Sequence, residues 1–67
     1  MYKIVFTMVN GEQHSMSDWD GEPFTSELTA NAMLQNLLRN KKWDSFRADD
    51  GTIFKVQHIV SAKVANK

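Results

Sequence analysis

The residues of this chain best suited to acid–base chemistry are its two histidines. His14 and Asp18 stand four positions apart in a segment patterned as a strand, so their side chains would share one face and could form a pair. A polar strand exposed to water is the simpler interpretation. His58 lies in an apolar segment, where its surroundings could bring its change of charge near neutral pH. A strand histidine whose ring nitrogens are hydrogen-bonded, or whose ring is half exposed, is again the simpler interpretation.

The sequence contains no complete motif for catalysis, metal binding or phosphate binding. Its serines and threonines are scattered, and none stands in a nucleophile elbow. The three glycines all lie at turn signals, which leaves little room for a phosphate loop. Without cysteine, and with histidines far apart, a zinc site is not expected. We therefore expect a protein that is not an enzyme and holds no cofactor.

A second chemical candidate is a short stretch in which cations surround aromatic residues. It contains Arg39, Lys41, Lys42, Trp43 and Arg47, together with Phe46. Cations beside aromatic faces suit single-stranded nucleic acid, because phosphates are neutralised while bases stack. The net charge of zero argues against this use, since dedicated nucleic-acid-binding domains are usually basic. The alternative is a helix end whose cations match the helix dipole, followed by a strand whose aromatics enter the core.

The third candidate is a tryptophan flanked by acids. Asp18, Trp19, Asp20 and Glu22 occupy a segment with loop signals, including a Gly and a Pro that disfavours helix before it. Tryptophan often anchors protein interfaces, and acidic neighbours could steer a basic partner, so these residues form a candidate protein-binding site. Alternatively, Trp19 folds back over a core too small to close without it.

The elements that must position these residues begin with a hairpin. Residues 2–9 alternate Tyr2, Ile4, Phe6 and Met8 on one face, which predicts a strand. Asn10-Gly11 predicts a tight type I′ turn, because both residue types tolerate positive φ. The mostly polar residues 12–18 then return as an edge strand.

A helix is predicted after the tryptophan segment, with Thr25 or Ser26 as its N-cap and Phe24 packing back against it. Its apolar stripe comprises Ala30, Met33, Leu34, Leu37 and Leu38. Asn40 is a plausible left-handed C-cap. Strands at 43–48 and 52–56 follow, joined by a turn at Asp50-Gly51, and a further strand resumes at 59–64 after an interruption at Gln57 and His58. The apolar face of these last segments comprises Phe54, Val56, Val60, Ala62 and Val64.

This order predicts an α+β fold in one domain, residues 1–67. The predicted order is strand, strand, helix, strand and strand, with a fifth strand if the last segment resumes. These strands would form an antiparallel sheet with the amphipathic helix packed on one face. The alternative is a small curled barrel whose end the helix plugs.

The composition sets the remaining expectations. The absence of cysteine, of a signal-peptide pattern and of an apolar run near the roughly 18 residues of a membrane span indicates the cytoplasm. A chain this small has a thin stability margin, and a homodimer would widen it. The charges are also uneven: residues 1–34 carry one lysine against five acids, and residues 35–67 carry seven cations against three acids. Opposite patches could dock two copies, or simply neutralise each other within the fold.

The end of the chain resembles the closing segment of small uncharacterised proteins encoded by phages and prophages. The resemblance lies in Asp50-Gly51, Phe54-Lys55-Val56 and His58 to Ala62, and in the opening strand with its Asn-Gly turn. It implies a small accessory or inhibitor protein that binds a host or phage macromolecule. Together with the acidic residues around Trp19 it favours a noncatalytic protein-interaction module that uses these residues and the polar edge of the first hairpin, with single-stranded nucleic-acid binding through residues 39–47 as the alternative.

Overall fold

The computed structural model describes residues 1–39 and 43–66. In chain order these form β1 (Tyr2–Met8), β2 (Gln13–Met16), β3 (Asp18–Trp19), β4 (Glu22–Pro23), α1 (Glu27–Arg39), β5 (Ser45–Arg47), β6 (Ile53–Lys55), a 3-10 turn (Val56–His58) and β7 (Ile59–Asn66). The predicted α+β class is confirmed. The strands are divided among three small antiparallel sheets, β2-β1-β7, β3-β4 and β5-β6, and α1 contacts β1 and β7. The predicted cap at Asn40 lies outside the described residues.

Strand β1 is the centre of the fold because it pairs on both sides. The predicted alternation holds: Ile4, Phe6 and Met8 all point into the core. Phe6 is fully buried, and its ring lies 5.2 Å from that of Phe54 and 6.1 Å from that of Phe46, centroid to centroid. The core therefore joins the three-stranded sheet to the β5–β6 hairpin.

Helix α1 begins where its capping residue predicts. Ser26 is the N-cap, because its Oγ accepts a hydrogen bond from the N–H of Thr29 at 3.1 Å. Ala30, Leu34 and Leu37 are buried as the apolar stripe predicts. Leu38, predicted on the same stripe, is 47% exposed because it lies at the border of that stripe.

The prediction of a type I′ turn at Asn10-Gly11 is wrong. Of the two residues only Gly11 has a positive φ, +89°, and its N–H donates to the carbonyl oxygen of Met8 at 2.9 Å. The loop is a type I turn followed by a left-handed glycine. Asn10 keeps an ordinary φ, and its Oδ1 accepts a hydrogen bond from the N–H of Glu12 at 3.0 Å. The turn at 48–52 repeats this geometry.

The type I′ turn occurs instead at Asp20-Gly21, inside the segment predicted as a loop. Both residues have positive φ, +52° and +82°, and they join β3 to β4 as a two-residue hairpin. The predicted loop is therefore wrong, and the Asp-Gly pair is the signal that indicates a hairpin. The N–H of Phe24 donates to the carbonyl oxygen of Ser17 at 3.1 Å, so pairing continues one step past Pro23. Pro23 fits here because it stands at a non-hydrogen-bonded position, where a strand residue's N–H faces away from its partner.

The last strand also departs from its predicted pattern. His58 lies in the 3-10 turn, exposed, rather than in a strand, and the predicted interruption before β7 is confirmed. Val60, predicted on the apolar face, is 66% exposed. The pairing with β1 shifts between Thr7 and Met8, so Val60 becomes an unpaired bulge residue and Ile59 turns inward instead.

The Asp50 turn gives a pH-dependent contribution to stability. The backbone N–H of Thr52, which lies 2.9 Å from Asp50 Oδ1, and then its hydroxyl lower the pKa of Asp50 below its ordinary value of 3.8. Because the folded-state pKa is depressed, the ionised carboxylate stabilises the fold above the unfolded pKa, and this contribution is lost as pH falls through the folded pKa. We expect urea unfolding to show wild type more stable than Asp50→Asn near pH 6, with the difference vanishing below Asp50's folded pKa. A constant difference across that range would contradict the assignment.

Candidate protein-binding groove

One carboxylate holds the two halves of the groove in place. Asp49 accepts a hydrogen bond from the N–H of Ser17 at 2.8 Å through Oδ1 and from the hydroxyl of Ser17 at 2.6 Å through Oδ2. The N–H of Asp49 donates to the carbonyl oxygen of Ser15 at 2.9 Å. Ser17 is only 8% exposed, so these partners satisfy donors that water does not readily reach. The link fixes the β5–β6 hairpin beside the end of β2.

A groove of about 550 Å³ lies between β3 and β5. Asp18, Trp19 and Asp20 line one side, and Ser45 and Arg47 line the other. Among the described residues no hydrogen-bonded ladder joins these two strands, because β3 pairs only with β4 and β5 only with β6. The groove is therefore an open seam between two strand edges.

Three aromatic rings pack together beside this seam, and two of them, Trp19 and Phe46, line it. Trp19 packs edge to face against Trp43, with centroids 5.1 Å apart, and against Phe46 at 5.6 Å. Phe46 is buried and continues into the core, whereas Trp43 is 41% exposed. Trp19 is half-buried against the same core, so the interpretation in which it folds back is confirmed. Its ring still forms part of the groove wall.

The edge of β5 presents free backbone groups to the groove. The N–H of Val56 donates to the carbonyl oxygen of Asp44, and the N–H of Ala48 donates to that of Thr52. Since alternate residues of an antiparallel strand face its partner, the intervening Ser45 and Arg47 turn their N–H and C=O away from β6. Within the described part of the chain these groups have no backbone partner. The edge can therefore accept a further strand.

Three of the four predicted protein-binding residues, Asp18, Trp19 and Asp20, line this seam. Asp18 and Asp20 are exposed beside Trp19, and Glu22 is exposed on the neighbouring strand, where it pairs with Trp19. Arg47 supplies one positive charge on the opposite wall. The surface is therefore acidic on the β3 side, as the sequence predicts.

The predicted nucleic-acid stretch is only partly assembled. Arg39 is exposed at the end of α1, and Arg47 and Trp43 are exposed on or near the groove. Phe46 points into the core and cannot stack on a base. Lys41 and Lys42 lie outside the described residues. The contact between Trp43 and Trp19 joins two candidate sites that the sequence treats as separate.

The structure brings His14 to different partners from those predicted. Its ring stacks on Phe54, with centroids 5.2 Å apart and planes 7° from parallel, and its Nε2 lies 3.5 Å from Glu12 Oε2. Asp18 belongs to the next strand and is not among these neighbours. Within residues 1–39 and 43–66 there is no cluster of three metal-ligating side chains, and none of the described helical segments is long and apolar enough to cross a membrane.

Two parts of the groove are not predicted by the sequence. Asp49 reads as an ordinary turn residue before Asp50-Gly51, and only its distant partner Ser17 reveals its role. The open edge at Ser45 and Arg47 depends on which strands pair, which no local pattern of this chain indicates.

Comparisons with protein-family models, with characterised proteins and with solved structures give no match to this chain.

Proposed function

We propose that this chain is a noncatalytic protein-interaction module that holds an extended segment of a partner along the open edge of β5. The observation that carries the proposal is the outward direction of the Ser45 and Arg47 backbone groups beside an aromatic groove. Strand addition uses such an edge for main-chain hydrogen bonds and the neighbouring side chains for specificity. Asp18, Trp19 and Asp20 line the acidic wall of the same site, and Glu22 lies on the strand paired with that wall.

The identity of the partner belongs to the same proposal. The resemblance to small phage proteins supports an accessory or inhibitor role against a host or phage protein. A second copy of this chain is another partner with an extended segment to offer, and a homodimer would add buried surface to a domain of this size. In each case the partner's extended segment would bind along the same edge of β5.

A proline at position 47 tests the edge directly. Arg47→Pro removes an N–H that takes no part in the β5–β6 ladder, so the folded domain loses no backbone hydrogen bond. Phe46, the preceding residue, already has the extended conformation that proline favours before it. We expect the affinity for peptides selected from a random displayed library to fall about tenfold, because one hydrogen bond is lost and the proline ring clashes with the bound peptide.

The control is Arg47→Ala, which removes the charge and leaves the N–H. Isothermal titration calorimetry of the same peptides with both variants separates the two contributions, and thermal melting checks that both remain folded. Under the proposal, Arg47→Pro weakens binding well beyond Arg47→Ala. Equal affinities of the two variants would exclude strand addition at this edge.

The alternative is weak binding of single-stranded nucleic acid through Arg39, Trp43 and Arg47, with Lys41 and Lys42. The exposure of Trp43 favours it, because an accessible indole can stack on a base. A salt-dependent complex with a mixed oligonucleotide, in the absence of any peptide binding, would establish this alternative instead.

A further inference from the structure

We infer that the corner formed by Trp19, Asp20 and Trp43 binds a cationic side chain, lysine or arginine, of the extended segment in the groove. The inference rests on the proposed function and adds to it the chemical class of the side chain that gives specificity. Among residues 1–39 and 43–66, these three line a space of about 370 Å³, which opens to solvent. The corner is continuous with the groove, because Trp19 and Asp20 line both.

The two indoles give the corner its affinity for a cation. Their centroids are 5.1 Å apart and their planes are 82° from parallel, so the rings stand as two nearly perpendicular walls. The face of an indole carries negative electrostatic potential, and a cation within about 6 Å of its centroid is attracted. Trp19 is held in place from below by Phe46, 5.6 Å away and at 87°, so this wall is formed before any ligand arrives.

Asp20 decides between a cation and an apolar anchor. It is exposed in the type I′ turn, with φ +52°, and it lines the corner beside the two indoles. An apolar side chain would desolvate this carboxylate without offering it a hydrogen-bond donor or a positive charge, which costs free energy. An ammonium or guanidinium group would instead pair with it. Asp18 on the same wall adds a second negative charge toward the incoming segment.

The test uses three peptides that differ in one side chain. The probe is an end-blocked Ser-Val-Thr-Xaa-Thr-Val-Ser peptide in which Xaa is lysine, arginine or norleucine, the last being the neutral isostere of lysine. The chain's two tryptophans are both in the corner, so intrinsic fluorescence reports occupancy directly, and calorimetry gives the affinity. We expect the lysine and arginine peptides to bind about 5-fold more tightly than the norleucine peptide.

Asp20→Asn provides the matched variant, because asparagine tolerates the left-handed conformation while the charge is removed. It should reduce the preference for the cationic peptides to nearly one, whereas Glu12→Gln in the first hairpin turn should leave that preference unchanged. Equal affinity of all three peptides for the wild type, with the loss on Arg47→Pro retained, would overturn the cation corner and leave the strand-addition groove intact. Absence of binding by every peptide at millimolar concentration would contradict both.

Discussion

Replacing Phe6 with alanine is expected to remove a large part of the free energy of unfolding at 25 °C. Phe6 is fully buried and contacts both Phe46 and Phe54, so its removal leaves a cavity at the point where the main sheet meets the β5–β6 hairpin. Such substitutions cost about 3–5 kcal/mol. A domain of 67 residues has a total stability of only about 3–10 kcal/mol.

Urea unfolding followed by tryptophan fluorescence measures this effect. Phe6→Leu keeps enough volume to give a complete transition if Phe6→Ala is unfolded from the outset. Val60→Ala is the matched control, because Val60 is exposed in a neighbouring strand and its loss should change stability by no more than about 0.5 kcal/mol. Similar free energies of unfolding for Phe6→Ala and Val60→Ala would show that the core does not lie where the structure has it.

The second large effect is expected at Asp49. Asp49→Ala leaves the N–H and the hydroxyl of Ser17 without their acceptors in a site that is mostly shielded from water, and we expect a loss of about 2–3 kcal/mol. Asp49→Asn should fall between wild type and alanine, because its amide has one acceptor oxygen for two donors. The same substitutions should weaken peptide binding, since the link holds β5 beside β3.

Chemical denaturation of the three proteins gives the order directly. Asp44→Ala is a suitable control, because Asp44 is an exposed acid at the other end of β5 and contributes its carbonyl oxygen, not its carboxylate, to the ladder. If Asp49→Ala proved as stable as Asp44→Ala, the Ser17 link would have no role in fixing the groove.

Local patterns predict most of the elements of this chain but not their assembly. The period of the stripe at Ala30, Leu34 and Leu37 indicates the helix, and the alternation in β1 indicates its buried face, because both depend on one segment meeting one core. The bulge at Val60 shifts the register by one residue, and no pattern within β7 reveals that. Element type is therefore a local property here, whereas register is a property of the pair.

The candidate site shows the same division. The acidic character around Trp19 is visible in the sequence, and so is the aromatic character around Trp43. Their contact joins residues far apart in the chain, as does the hydrogen bond between Ser17 and Asp49. The Asp20-Gly21 turn is an exception, because its dipeptide is a hairpin signal that can be recognised without any partner.

The central position of β1 has a consequence for how fast the chain folds. One neighbour, β2, follows after a short turn, and hairpins of this kind form in about 1–10 μs. The other neighbour is β7, whose register places Tyr2 opposite Asn66. This pairing therefore closes a loop that contains nearly the whole chain. Contacts of such long sequence separation slow folding. The β1–β7 pairing therefore closes a much longer loop than the β1–β2 hairpin does, and it costs more chain entropy to form.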